Sequence, residues 1–107
     1  KTGAARRPAV KIRILELAVA DLAAGRDFYE AQQAGLGVYF MDTLFSDIDS
    51  LLLHAGVHVR CFGFHRALSK RFPYAIYYRL NDAAIEVWRV LDCRQHPGRT
   101  GKILRDA

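Results

Sequence analysis

Four cations, Arg66, Lys70, Arg71 and Arg94, are the residues whose type and placement could do chemistry in this chain. Lys70 and Arg71 precede Phe72-Pro73-Tyr74-Ala75-Ile76-Tyr77-Tyr78-Arg79, a cationic turn running into an aromatic strand. Pro73 fixes its own φ and pushes Phe72 towards an extended conformation, so the strand starts just past a turn and the basic pair sits at its mouth. Arg94 closes a second apolar stretch, Val90-Leu91-Asp92-Cys93-Arg94-Gln95-His96-Pro97. If neighbouring strands bring these guanidinium groups together, the cluster suits a phosphate or an acidic protein partner, because the planar fork matches both. Arg79 adds a further cation, with Tyr77 beside it on the same strand face as the ring expected to be exposed. The competing reading is ordinary surface pairing with Asp82, Glu86 or Asp92.

The rest of the composition bounds what such a cluster can belong to. A chain of 107 residues, half hydrophobic and a quarter charged, is one domain with one ordinary core. The net charge of +5 is unevenly distributed. Residues 12–56 hold two basic against seven acidic side chains, and residues 57–107 hold ten basic against four acidic. The basic half favours anionic partners. Cys61 and Cys93 have no CxxC spacing, which predicts reduced, buried thiols rather than a disulfide. His54, His58, His65 and His96 form no HExxH, and no glycine-rich phosphate loop or nucleophile elbow occurs, so neither a metal nor another cofactor is expected. No apolar run reaches the ~18 residues of a membrane span. Residues 1–11 read as a flexible leader, leaving 12–107 as the domain.

The elements that must position the cations follow from periodicity. Residues 11–18 open as a strand, Lys11-Ile12-Arg13-Ile14 alternating before Leu15-Glu16-Leu17-Ala18. Asp21 offers an N-cap for a helix carrying Leu22, Arg26, Tyr29 and Gln33, which Gly35-Leu36-Gly37 ends. Phe40, Leu44, Ile48, Leu51 and Leu52 define a second amphipathic helix, with Asp42, Asp47 and Asp49 on its solvated side, and the short link makes the two an antiparallel hairpin. Beyond Gly56 the period becomes two, predicting strands over 57–62, 64–68, 74–80 and 84–91. The last is apolar on both faces and therefore central, with Tyr78 and Trp88 packed in the sheet. Residues 97–105 have too few apolar side chains for an independent element. The result is an α+β domain: a strand, a helical hairpin on one face, and about four further strands in a mainly antiparallel sheet whose other face carries the basic residues.

On these residues the chain resembles the ParE/RelE superfamily, the toxins of bacterial type II toxin–antitoxin modules. The matching pieces are Ala20-Asp21-Leu22, Phe28-Tyr29, Gly35-Leu36-Gly37, Arg66, the phrase Arg71 to Tyr78, and Leu91 to Pro97. The resemblance implies a small cytoplasmic toxin held in a hetero-oligomer by a co-expressed acidic antitoxin, touching operator DNA only through that antitoxin. It divides into two mechanisms. A RelE-like toxin cleaves mRNA on the ribosome, which requires cations on the scissile phosphate and groups to move protons. Arg66, Arg71 and Arg94 would supply the charge, and Tyr77 or His96 the proton transfer. A ParE-like toxin blocks DNA gyrase and needs no catalytic residues; Lys70, Arg71, Arg79 and Arg94 would then meet the target or another anion. Ala75 replaces an arginine, and Thr100 a tyrosine, that many ribosome-dependent members carry. The Phe-Pro-Tyr phrase and the Asp-Cys-Arg-Gln-His-Pro ending lie closer to ParE. A degenerate toxin that only binds antitoxin is the third reading.

Overall fold

A computed structural model of the chain describes residues 11–107. The expected leader therefore lies outside the described residues, apart from Lys11, which opens the first strand. In chain order the elements are β1 (Lys11–Ile14), α1 (Glu16–Gln32), α2 (Leu36–Asp49), α3 (Leu51–His54), β2 (Arg60–Cys61), β3 (Phe64–Leu68), β4 (Tyr74–Asn81), β5 (Ala84–Asp92) and α4 (Pro97–Arg105). The sheet order is β1-β5-β4-β3-β2, with β1 parallel to β5 and every other pair antiparallel. This is the α+β arrangement expected, with β5 central, but it carries one helix more at its end.

The hairpin α1–α2 lies on one face. Its packing stripe is Ala18, Leu22 and Gly25 from α1 against Phe40, Leu44 and Ile48 from α2, joined by Leu51 of α3. These close over Tyr74, Ile76 and Tyr78 of β4 and Ile85, Val87 and Val90 of β5. The α2 stripe falls at the helical spacing read from the sequence, while Leu52 faces out. Two close approaches set the interhelical distance. A Cβ on Gly25 would stand 2.5 Å from Phe40 Cζ, and one on Gly37 2.8 Å from the Arg26 carbonyl oxygen.

Several expectations are corrected. β1 stops at Ile14, and α1 begins at Glu16, so Asp21 is not an N-cap but an interior residue facing β5. Gly35, left-handed at φ 91°, begins α2 instead of closing α1. The first amides of α2 find their acceptor in Glu30 of α1, whose carboxylate takes Gly35 N–H at 3.0 Å and Gly37 N–H at 2.9 Å. Those two bonds hold the Glu30 carboxyl below its ordinary pKa. Asp47 is buried rather than solvated: its Oδ2 accepts from Ser69 Oγ at 2.6 Å and from the Lys70 amide at 3.3 Å, pinning the β3–β4 loop to α2. The strand expected over 57–62 shrinks to Arg60–Cys61: Val57 and Val59 are exposed, and only the Val59 carbonyl reaches β3, accepting the Arg66 amide at 2.9 Å. Phe62 and Gly63 join β2 to β3 with φ of 53° and 84°, the two positive values that a tight two-residue hairpin turn demands.

The largest correction concerns the face opposite the hairpin, which is not an open basic surface. Residues 97–105 form α4, with His96 as N-cap and Pro97 at the first helical position. Its Leu104, only 2% exposed, seals a second core of Phe64, Ala75, Tyr77 and Leu91. Tyr77 is 4% exposed and so is a core residue, not the free ring expected beside Arg79.

Candidate functional site

The strands β3 and β4, which carry Arg66 and Arg79, pair in the register Arg66↔Tyr77. That register brings the first two candidates together. Arg66 Nε donates to the Tyr77 hydroxyl at 3.2 Å, and its Nη2 lies 3.7 Å from Cys93 Sγ. The bond to Tyr77 raises the guanidinium pKa further despite partial burial, so Arg66 is a permanent cation. Among the described residues no carboxylate pairs with it. It lines a cavity of about 210 Å³ with Cys61, Tyr77, Cys93, Gln95 and Thr100. Both thiols are free, but Cys61 is half-buried and Cys93 exposed, so the expectation of two buried cysteines fails.

The remaining candidates lie elsewhere, each with its own contacts. Arg94 follows β5 and folds back on Asp92, its Nε and Nη2 donating to the two carboxylate oxygens at 3.0 and 2.7 Å. That pair raises the Arg94 pKa and lowers that of Asp92, so both stay charged. Its guanidinium carbon lies 6.0 Å from the Phe28 ring on α1. Lys70 and Arg71 border a polar cleft of about 340 Å³ against Tyr39, Asp42, Thr43 and Ser46 of α2. Arg79 stacks over Phe64 at 4.0 Å and Trp88 at 4.8 Å, and its Nε donates to the Gly63 carbonyl at 3.3 Å. His96 Nδ1 accepts the Gly98 amide at 3.0 Å as the cap of α4. The structure thus unites Arg66 with Tyr77 only; Arg71 and Arg94 line neither that cavity nor a shared one.

What the arrangement can do chemically follows from these contacts. The Arg66 cavity can hold an anion, because it presents a cation without a carboxylate. General acid–base work is poorly served there. Tyr77 is buried with its hydroxyl occupied, and no Asp, Glu or His lines the cavity. Ala75, where an arginine would complete the nuclease pattern, is sealed in the second core.

A feature that motif reading missed is the pair Asp21–Arg89. Asp21 accepts from Arg89 Nε at 2.7 Å, Arg89 Nη2 at 2.8 Å and the Val90 amide at 2.9 Å, which locks α1 to β5. It forms the wall of a cleft of about 300 Å³ between α1 and α4 that also contains Phe28, Tyr74, Asp92 and Arg99. Burial pushes the Tyr74 hydroxyl up to about 12, with Asp92 adding to the shift. No spacing in the sequence announces a partnership across 68 positions. The Asp92-Cys93-Arg94 pairing, two residues apart, was visible.

No protein-family model matches the sequence, and no curated protein matches it. Among described residues no helix is long and apolar enough to cross a membrane. Among solved structures the chain is similar to one from the chromosomal ParDE TA system of P. aeruginosa. The match has a TM-score of 0.69 at 17% identity and covers 76% of this chain and 92% of that one. At that identity the likeness is one of fold, and the fold of this chain is ParE-like, as the sequence resemblance implied.

Proposed function

We propose that this chain is the toxin of a toxin–antitoxin module, cytoplasmic and bound by an acidic antitoxin. Its action is to arrest growth by ParE-like inhibition of DNA gyrase. The observation that carries the choice of mechanism is the dispersal of the candidate cleavage residues. Arg94 is engaged by Asp92, His96 caps α4, Tyr77 is buried under that helix, and Arg71 lies against α2. Endonucleolytic cleavage needs a base, an acid and cations around one phosphate, and a set divided in this way offers no such centre. A protein-binding inhibitor needs a surface instead, and the exposed cations Lys70, Arg71 and Arg94 provide its charge.

One observation favours the ribosome-dependent nuclease as a second reading. Arg66 is a half-buried guanidinium without a carboxylate, in a cavity it shares with Tyr77. Inducible expression in a bacterial host separates the two, scoring growth, amino-acid incorporation and the DNA-damage response in the same culture. Growth arrest with early damage signalling and continuing translation is the expected result. Early loss of translation without damage signalling, relieved by Arg66→Ala, would overturn it in favour of cleavage. Co-expression of an adjacent gene for a small acidic protein should restore growth.

A further inference from the structure

Four of the described arginines have carboxylate partners: Arg13 on Glu86, Arg26 on Asp27, Arg89 on Asp21 and Arg94 on Asp92. Arg60 and Arg79 have none among the described residues, and they line one cavity of about 270 Å³ at the β2–β3 turn. Gly63, His65 and Leu80 complete its lining, with no acidic side chain. Two guanidinium groups on one cavity repel each other unless an anion lies between them. The cavity is at the far end of β4 from the Asp92–Arg94 pair, because β4 runs from Tyr74, opposite Asp92, to Asn81, opposite Ala84.

The parts are held in place before any ligand arrives. Arg79 is clamped by the Phe64 and Trp88 rings and by the Gly63 carbonyl, which takes its Nε and leaves its terminal nitrogens as donors. A Cβ on Gly63 would stand 3.6 Å from Arg79 Nη2, so the glycine keeps the space beside that nitrogen open. Arg60 is directly opposite His65 in the β2–β3 register. The His65 ring is held on the other side of the sheet from Arg79, stacked on Tyr78 at 5.1 Å with its Nδ1 3.0 Å from the His58 carbonyl oxygen. Two guanidinium forks with no acidic side chain between them fit the P–O⁻ oxygens of a phosphoryl group, whether in a phosphate ion or in a phosphodiester.

The geometry points to a phosphate-binding site between Arg60 and Arg79. This site is separate from the Arg66 cavity and from the toxin reading. The ligand chemistry, a phosphoryl oxyanion, has two sources, free phosphate and the backbone of a single-stranded nucleic acid. The test is titration of the ¹⁵N-labelled full chain, once with inorganic phosphate and once with an eight-residue oligothymidine, against chloride at matched ionic strength. Saturable shifts of the Gly63, His65, Arg79 and Leu80 amides are expected. Arg60→Glu should weaken binding by roughly tenfold or more, the usual loss when a charge-assisted hydrogen bond is removed. Arg60 is exposed on a two-residue edge strand, so the variant should fold, and an unchanged circular dichroism spectrum checks that it does. Binding of phosphate alone identifies the free anion. Micromolar, salt-sensitive binding of the oligonucleotide, also weakened by Arg60→Glu, identifies a nucleic-acid backbone. If neither probe moves these amides, or if Arg60→Glu and Arg79→Gln bind like the parent, there is no such site.

Discussion

Replacing Asp21 with alanine should unfold this protein more readily than any surface substitution, and its effect can be worked out from three bonds. Among the described residues the Asp21 carboxylate is the acceptor for Arg89 Nε and Nη2 and for the Val90 amide, at 2.7, 2.8 and 2.9 Å. Both side chains are largely removed from water, 18% exposed for Arg89 and 14% for Asp21. Alanine leaves a half-buried guanidinium without its counter-ion and a backbone donor in the middle of the sheet without an acceptor. Breaking a buried pair on one side costs about 3–5 kcal/mol, and the residual exposure here places the loss at the lower end, roughly 3 kcal/mol. That is a large share of the roughly 5–15 kcal/mol by which such domains are stable. At about 4 °C per kcal/mol for a domain of this size, the melting temperature should fall by roughly 12 °C.

Urea denaturation followed by circular dichroism measures it, with the double variant Asp21→Leu, Arg89→Met as the decisive companion. Replacing both charges with apolar groups removes the desolvated cation, so the double variant should regain most of the stability that Asp21→Ala loses. A loss below about 1 kcal/mol for Asp21→Ala would mean that Arg89 finds water or another partner, and the bridge would then be no more than a surface pair. Additive losses in the double variant would also refute the argument, since they would show that the two side chains act separately.

Three further outcomes are expected. Gly25→Ala places a Cβ 2.5 Å from the ring of Phe40, which is fully buried and cannot retreat, so it should destabilise by about 1–3 kcal/mol despite the helix-propensity gain; a raised melting temperature would contradict the packing described. Leu104→Ala removes the side chain by which α4 covers Tyr77 and Leu91 and should lose about 2–4 kcal/mol, with faster amide exchange across β3 as the sign that the second core has opened. His58 contributes a pH dependence. Burial, with His65 and His54 nearby, lowers its pKa, and its Nδ1 lies 2.6 Å from the Tyr78 hydroxyl, which accepts the Gly56 amide. The unfolded chain therefore binds a proton at higher pH than the folded one. The stabilisation is complete above the ordinary histidine value near 6.5 and is lost as pH falls through it. The stability difference between the parent and His58→Gln should shrink from pH 8 to pH 5.5, and a constant difference would show that His58 does not titrate with folding.

How far the sequence carries can be read from which residues behaved as periodicity says. The α2 stripe and the alternation along β4 depend on near neighbours, and both appear in the fold, the stripe without Leu52. Asp21 failed because an N-cap aspartate and a helix-interior aspartate facing a distant arginine are the same letter in the same local pattern; the partner that decides between them is 68 positions away. Asp47 failed for the same reason, its acceptor role being set by Ser69 and Lys70. The missing α4 did the most damage. Nine residues with two buried or half-buried aliphatics do not declare a helix, and what stabilises it is the apolar patch of Phe64, Ala75, Tyr77 and Leu91 that it covers. With that cover absent, the patch had to be read as solvent-facing, and Tyr77 and the basic residues around it became an active surface. One omitted element therefore turned a core into a site.

The phrase most specific to the resemblance shows the other side of this. The Phe72 and Tyr74 rings each lie 5.0 Å from the Phe40 ring, and Tyr29 lies 4.8 Å from Phe72. The Phe-Pro-Tyr motif is thus an aromatic joint between the hairpin and β4, where the sheet meets both helices. A motif of that kind reports the fold faithfully, because the packing that defines the fold requires it. It is silent about the target, since its rings are spent on packing, Phe40 and Tyr74 buried and Phe72 and Tyr29 half-buried. The residues that would choose between gyrase and the ribosome are the exposed cations, and exposed cations are the positions that packing constrains least. The same physics that made the architecture legible from 107 letters left the choice of target to the expression experiment.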